Sequence, residues 1–225
     1  MRALVTGASG GIGRAIVSRL EADGYDVTGV DVDQLDVADP AAWTDLPQVE
    51  VACLNAGVVT GTDSIAELTD EQYRRILGVN VDGVVFGVRA LAPLMEPGGK
   101  IVVTASLAGL TDVPSDPIYA GTKHFVIGFV RSVAPQLAER GIAINAVCPG
   151  IVDTPMIAGS RAALAAAGFP LLASEDVAEA VMAALADEET GQAWVVQPGR
   201  EPLKFRFPGV PGPRTPGAEG VRPPL

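Results

Sequence analysis

The stretch Thr6-Gly-Ala-Ser-Gly-Gly-Ile-Gly13 constrains this chain more than any other. It follows a short apolar strand, residues 3–5, and opens a helical pattern with Ile12, Ala15, Ile16 and Leu20 on one face, ending near Gly24. Strand, glycine turn and helix in that order form the first unit of a doubly wound α/β sheet. Glycines there permit a tight reversal and let a diphosphate approach the N–H groups at the helix N-terminus, whose dipole favours anions. With 26 glycines in 225 residues, a glycine-rich loop by itself says little. Its place between the first strand and a helix is what gives it meaning.

The second strand, residues 26–30, ends at Asp31, 18 residues beyond Gly13. An acid there can accept hydrogen bonds from ribose hydroxyls and repel a 2′-phosphate. Neither Ala8, Ser9 and Gly10 nor the position after Asp31 supplies a Lys or Arg, so NAD is favoured over NADP. Further apolar runs predict strands at 49–54, 100–104, 142–147 and 192–196, and helices at 119–138 and 174–186. Thr69-Asp-Glu-Gln72 has the pattern of a capping box and predicts a helix from Asp70 towards Met95. Asn80, a poor interior helix residue, falls in its middle beside Gly78 and Gly83.

Tyr119 and Lys123 are four apart and share one helix face. An ammonium one turn away favours the tyrosinate, and a phenol tuned towards neutrality can exchange a proton with a substrate oxygen. Ser106 lies just beyond the carboxyl end of the 100–104 strand, where open α/β sheets bind ligands, and 13 residues before Tyr119. Read alone, it is an ordinary loop or cap serine. His124, the one histidine, points about 100° away from Lys123 and has no second ligand, so no metal site is expected.

These motifs together resemble the short-chain dehydrogenases/reductases, in the non-extended branch. Thr6-Gly7-x-x-x-Gly11-x-Gly13 looks like that family's cofactor signature, and Asn55-Ala56-Gly57 is similar to its NNAG motif, with Leu54 in place of the first Asn. Asp36-Val37 resembles the pair that meets the adenine, and Cys148-Pro149-Gly150-Ile-Val152-Asp-Thr154 the segment over the nicotinamide. The resemblance spans residues 1–197. It implies a Rossmann fold: a doubly wound, parallel, seven-stranded sheet in three α/β/α layers. It also implies a cofactor site of Gly7, Ser9, Gly11, Ile12, Gly13, Asp31, Asp36, Val37, Asn55, Ala56, Gly57, Tyr119, Lys123, Pro149, Gly150, Val152 and Thr154. The catalytic set it implies is Asn80, Ser106, Tyr119 and Lys123, with Asn80 kinking its helix and holding a water. A substrate lid is expected at about 154–170, and its Met156, Ile157, Leu164 and Phe169 imply an apolar pocket. The activity implied is NAD-dependent interconversion of a secondary alcohol and its ketone, in a homodimer or homotetramer. Two other readings stand beside it: an NADPH-dependent biosynthetic ketoreductase, which Asp31 speaks against, and an NAD-sensing regulator without turnover, which needs no proton-transfer set. One departure from the family is plain. Only four residues separate Asp31 from Asp36, so the family's third strand must be very short or distorted.

The formal charge of -11 argues against nucleic acid and anionic membranes as partners. No 18-residue apolar run lacks a charge, and a strand begins almost at Met1, leaving no room for a signal peptide; the expectation is a cytoplasmic protein. Cys53 and Cys148 fall on strands with a third between them, two spacings of ~4.8 Å, beyond disulfide reach. They are expected as buried thiols. The tail, 198–225, holds eight Pro and five Gly and carries a charge of +3 (five basic, two acidic residues), against -14 for the rest. Its Leu203-Lys-Phe-Arg-Phe207 alternates apolar and basic residues and needs a surface, expected on a partner subunit.

Overall fold

A computed structural model describes residues 1–212 together with Thr215 and Gly217; the remainder of the tail considered above lies outside the described residues. A seven-stranded sheet runs in the order β2-β1-β3-β4-β5-β6-β7. Its strands are β1 (Arg2–Thr6), β2 (Asp26–Val30), β3 (Val51–Leu54), β4 (Lys100–Thr104), β5 (Ala143–Pro149), β6 (Ala193–Val196) and β7 (Leu203–Lys204). The first six are parallel, and β7 pairs antiparallel with β6.

The central strands β3 and β4 read as apolar runs because helices cover both sheet faces there, whereas the edge strand β2 carries Asp26 and Thr28. Successive residues alternate between two cores. Leu4, Ala52, Ile101, Val103 and Ile144 face one side, where α3 (Gly83–Leu91) and α4 (Pro117–Ala138) contribute Val84, Val88, Leu91, Val126 and Val130. Ala3, Val5, Val51, Val102 and Val147 face the other, against α1 (Gly11–Ala22) and α6 (Ser174–Ala186) through Ile16, Leu20, Val177 and Val181. Cys53 belongs to the second core and Cys148 to the first, so the free thiols lie on opposite faces of the sheet.

The long helix begins as α2 (Asp70–Leu77), with the Thr69–Gln72 capping box formed in both directions. It continues through a π-helical turn at Gly78–Asp82 into α3. The stretch Asp70–Leu94 is long and apolar enough, by length and composition, to cross a membrane. Here Ile76, Val84, Val88 and Leu91 are packed into the protein core.

Two segments depart from the sequence reading. Among the described residues no strand lies between Asp31 and Val51. The chain instead turns at Asp31, Asp36 and Asp39, makes a 3-10 turn at Pro40–Trp43, and buries Leu35, Val37 and Trp43 against the α3 side of the core. This leaves β2 as an edge strand. The seventh strand comes from the tail: Trp194 pairs with Lys204 and Val195 with Leu203. Phe205 and Phe207 pack edge-to-face on the core of the same chain, and the Arg131 guanidinium lies 3.8 Å from the Phe207 ring centroid. Lys204 bridges Asp187 and Glu189, both at 2.8 Å. The surface the tail needs is therefore its own body, because β6 otherwise presents an unpaired edge.

Candidate active site

Residues at the carboxyl ends of β1, β3, β4 and β5 converge where the strand order reverses, between β1 and β3. Gly7 has φ +64°, a left-handed conformation that favours glycine, and a side chain on Gly13 would collide with the Gly7 carbonyl. No side chain caps the start of α1, and its first turn holds no acid. That bare helix N-terminus, with no Cβ in the way, fits the diphosphate of a dinucleotide. Thr154 sits directly on this loop, since a Cβ on Gly11 would come within 2.7 Å of its methyl. A cleft of about 650 Å³ between α1 and α6 flanks the loop, lined by Gly11, Arg14, Asp153 and Ser174.

Asn55 ties three strand ends together. Its N–H donates to the Thr6 hydroxyl (3.0 Å), its amide donates to the carbonyls of Thr6 and Gly7 (3.1 and 3.3 Å), and its Oδ1 accepts from the Thr104 hydroxyl (3.1 Å). The Ala56 N–H also reaches the Thr6 hydroxyl, at 3.1 Å. Asp31, at the end of β2, accepts N–H groups from Ser9 (3.0 Å) and Val32 (2.9 Å). Burial raises the Asp31 carboxyl, but these bonds outweigh it and hold it below the usual carboxylate range. The residues present thus fit an adenosine–diphosphate moiety.

Not every expected cofactor residue faces the cleft. Val37 is buried against Gly83, with its carbonyl accepting from the Trp43 indole at 3.0 Å. The exposed Asp36 carboxylate accepts from Ala38 N–H, closing its own turn. Val152 packs into the α1–α6 core, bridged to Leu172, and offers the cleft only backbone. Ile12 likewise leans on that core.

Beyond the carboxyl end of β4, Ser106 opens a short 3-10 turn. Its hydroxyl accepts from Ala108 N–H (3.1 Å) and donates to the Pro149 carbonyl (3.4 Å). Gly150 follows, its N–H bonded to the Val196 carbonyl. Tyr119, in the first turn of α4, is half-buried. Burial raises its phenol above the ordinary value, a hydrogen bond with Ser106 pulls it down, and the charge of Asp116 raises it further; the net direction is up. This corrects the expectation that Lys123 lowers it. Lys123 is 3% exposed and donates to the Thr104 carbonyl at 2.9 Å, with its nitrogen 5.6 Å from the Tyr119 ring centroid. Burial brings the Lys123 ammonium down to about 8. Burial pushes the neighbouring Cys148 thiol up to about 12 despite Lys123, so it stays protonated.

Asn80 lies in the π turn, 1% exposed. Its side chain is fully engaged: Oδ1 accepts from Val58 N–H (2.8 Å), while Nδ2 donates to the Val58 carbonyl (2.9 Å) and the Thr122 hydroxyl (3.1 Å). Both Nδ2 hydrogens are thus used, and only the second lone pair of Oδ1 is left on the amide to bind a water. A Cβ placed on Gly57 would lie 3.4 Å from the Lys123 nitrogen and 3.5 Å from Asn80 Oδ1, so three separately predicted elements do meet. Sequence reasoning missed Thr60, Asp116 and Thr122, which bind the loop after β3 to α4. Asp116-Pro117 carried the only signal, that of a helix cap before a first-turn proline.

The model of the short chain dehydrogenase family matches residues 38–165, more than half of the chain. A 3beta-hydroxysteroid dehydrogenase of Mediterraneibacter gnavus is 33% identical over 190 residues, covering 71% of this chain and 68% of that protein. A 3-ketoacyl-(acyl-carrier-protein) reductase from Brucella melitensis, complexed with NADH, superposes with TM-score 0.77 at 26% identity, over 88% of this chain and 97% of that one. A short chain dehydrogenase from Burkholderia cenocepacia, in complex with NADP, superposes with TM-score 0.78 at 30% identity, over 88% and 96%.

Proposed function

Because the chain belongs to the short-chain dehydrogenase family, we propose that this oxidoreductase uses NAD to interconvert a secondary alcohol and its ketone, with a hydrophobic substrate. The observation that carries the reading is Tyr119 with its ring centroid 5.6 Å from the buried Lys123 nitrogen and its phenol within the influence of the Ser106 hydroxyl. A proton donor, a second hydroxyl and a cation come together there at the carboxyl ends of the strands.

The diphosphate would rest on Gly7 to Gly13, the adenosine ribose against Asp31, and the nicotinamide side against Asn55-Ala56-Gly57, Pro149-Gly150 and Thr154. When bound, the nicotinamide ring supplies the hydride acceptor or donor. The chain does the rest. Ser106 orients the carbinol or carbonyl oxygen by hydrogen bonding, and Tyr119 takes the hydroxyl proton in oxidation or returns it in reduction. A phenol raised by burial is held as the acid form, ready to donate. Lys123, fixed by the Thr104 carbonyl, would hold the nicotinamide ribose. Asn80 braces the Val58 loop against α4, so that these groups keep one geometry.

Asp31 supports NAD over NADP, for a carboxylate fixed by two N–H groups would face a 2′-phosphate. The exposed Met156 and Phe169, on either side of the short helix α5 (Arg161–Ala166), support an apolar lid over about 154–170. The same reading carries a cytoplasmic homodimer or homotetramer, which light scattering checks. The test of function is NADH fluorescence across secondary alcohols of graded size and polarity, run with NAD and NADP. Turnover with NAD that improves with apolar size supports the reading; its absence across the whole panel overturns it.

A further inference from the structure

Asp116 joins parts of the site that no strand connects. Its Oδ1 accepts the Tyr119 N–H at 3.0 Å and so caps α4. The same carboxylate reaches the loop after β3, where Oδ2 accepts the Thr60 N–H at 3.1 Å and Oδ1 accepts the Thr60 hydroxyl. Two residues back along that loop, Val58 is held at both N–H and carbonyl by Asn80. Asn80 also donates to the Thr122 hydroxyl, which donates in turn to the Tyr119 carbonyl at 2.7 Å. These bonds form a closed ring, Asp116–Thr60–Val58–Asn80–Thr122–Tyr119, that grips Tyr119 by its N–H on one side and its carbonyl on the other.

We propose that Asp116 is a positioning residue for the proton step: it locks the Tyr119 backbone through this ring and, as the ring's one charged member, opposes formation of the phenolate. The inference rests on Tyr119 as the acid–base group. Among the described residues no cation forms an ion pair with Asp116, whose carboxylate hydrogen bonds all come from Thr60 and Tyr119. On α4, Lys123 is turned to the Thr104 carbonyl and His124 back to the Ala120 carbonyl. On α2, Arg75 donates to the Val59 carbonyl and makes no bond to Asp116, and residues 56–62 carry no charge. After β4, Ser106 offers a neutral hydroxyl and the exposed Asp112 pairs with Thr111. On β5, Cys148 stays a neutral thiol. The direction of the Tyr119 shift agrees, with Asp116 among its upward causes.

The test is an ultraviolet tyrosinate titration of the full chain, with the Tyr119→Phe protein subtracted to remove Tyr25 and Tyr73. Asp116→Asn keeps a good helix cap but removes the charge. Its Tyr119 midpoint should fall by roughly 0.5–1 pH unit, and the rise of alcohol oxidation with pH should move down with it. Thr60→Val breaks the hydroxyl link, keeps the charge, and should leave the midpoint in place. Asp116→Ser, another neutral cap, repeats the test should the Asn variant not fold. A midpoint in the neutral variants that coincides with wild type overturns the proposal, as does an equal shift in Thr60→Val. The acid–base reading fails by a separate result, retention of turnover in Tyr119→Phe.

Discussion

The Lys123 ammonium donates to the carbonyl oxygen of Thr104, at 2.9 Å, and not to the phenol of Tyr119 one helical turn before it. Helix geometry puts the two side chains on one face, but the end of β4 supplies an acceptor that a buried ammonium cannot do without. The site therefore keeps a costly cation ready beside the cleft. The cost should be measurable.

Replacing Lys123 with Met should abolish turnover and change how stability depends on pH. The folded value, about 8, lies below the ordinary 10.5. Below about 8 both folded and unfolded chains carry the charge, and the folded state bears the burial penalty in full. Between about 8 and 10.5 the unfolded chain binds more protons, so wild-type stability rises with pH there. The span corresponds to roughly 3 kcal/mol, from which the orphaned Thr104 carbonyl of the variant, about 1–3 kcal/mol, subtracts at every pH. Denaturant melts at neutral and alkaline pH should show wild type gaining on the variant as pH rises; parallel curves would contradict a buried, neutralisable Lys123.

Tyr119→Phe should lower turnover by ~10²–10⁴ while leaving NAD binding nearly unchanged, because the ring remains and Lys123 is held by Thr104. Steady-state rates alongside a fluorescence titration of NADH check both halves. Weakened NADH binding of the same size as the rate loss would mean that the phenol serves the cofactor and not the proton.

Asp31→Ala should weaken NAD and relieve repulsion of a 2′-phosphate, narrowing the preference by ~1–3 kcal/mol. The variant also frees the Ser9 N–H, so part of the loss comes from a looser glycine loop. Comparing kcat/KM for NAD and NADP in both proteins measures it. Wild type that already uses NADP equally well would remove Asp31 as the discriminator.

Truncation after Gly199 should lower the melting temperature and promote association in light scattering. It strips β7 and two half-buried phenylalanines from the body, a loss of ~2–4 kcal/mol, and bares the edge of β6. Phe207→Ala alone should cost about 1–2 kcal/mol, since it removes the ring under Arg131 but leaves the edge covered. Melting at the wild-type temperature after truncation would mean that the tail contributes nothing to the fold.

Much of this molecule was legible in its sequence because the deciding interactions are local. The expected spans of β2 and β4 match the observed ones to the residue, and in β4 the apolar Ile101, Val102 and Val103 mark a strand covered on both faces. Thr69 and Gln72 announced their helix because a capping box closes within four residues. The glycine loop and Tyr119 were read from a strand end and a helix face, whereas Asn55 and the role of Ser106 came from the family resemblance. Other features depend on groups far apart in the chain, and no local pattern carries them. A two-residue strand among prolines exists only because β6 offers an open edge and Asp187 and Glu189 hold Lys204. The segment after Asp31 folds inwards instead of extending the sheet because Val37 and Trp43 find α3. Lys123 turns to Thr104, and Asp116 closes a ring through Thr60, Asn80 and Thr122. By itself the sequence determined where the glycine loop, the strand ends and the Tyr119 helix fall in the chain. The tertiary structure alone decided which of them face one another, because a buried charge or an unpaired edge takes whatever partner long-range packing brings within reach.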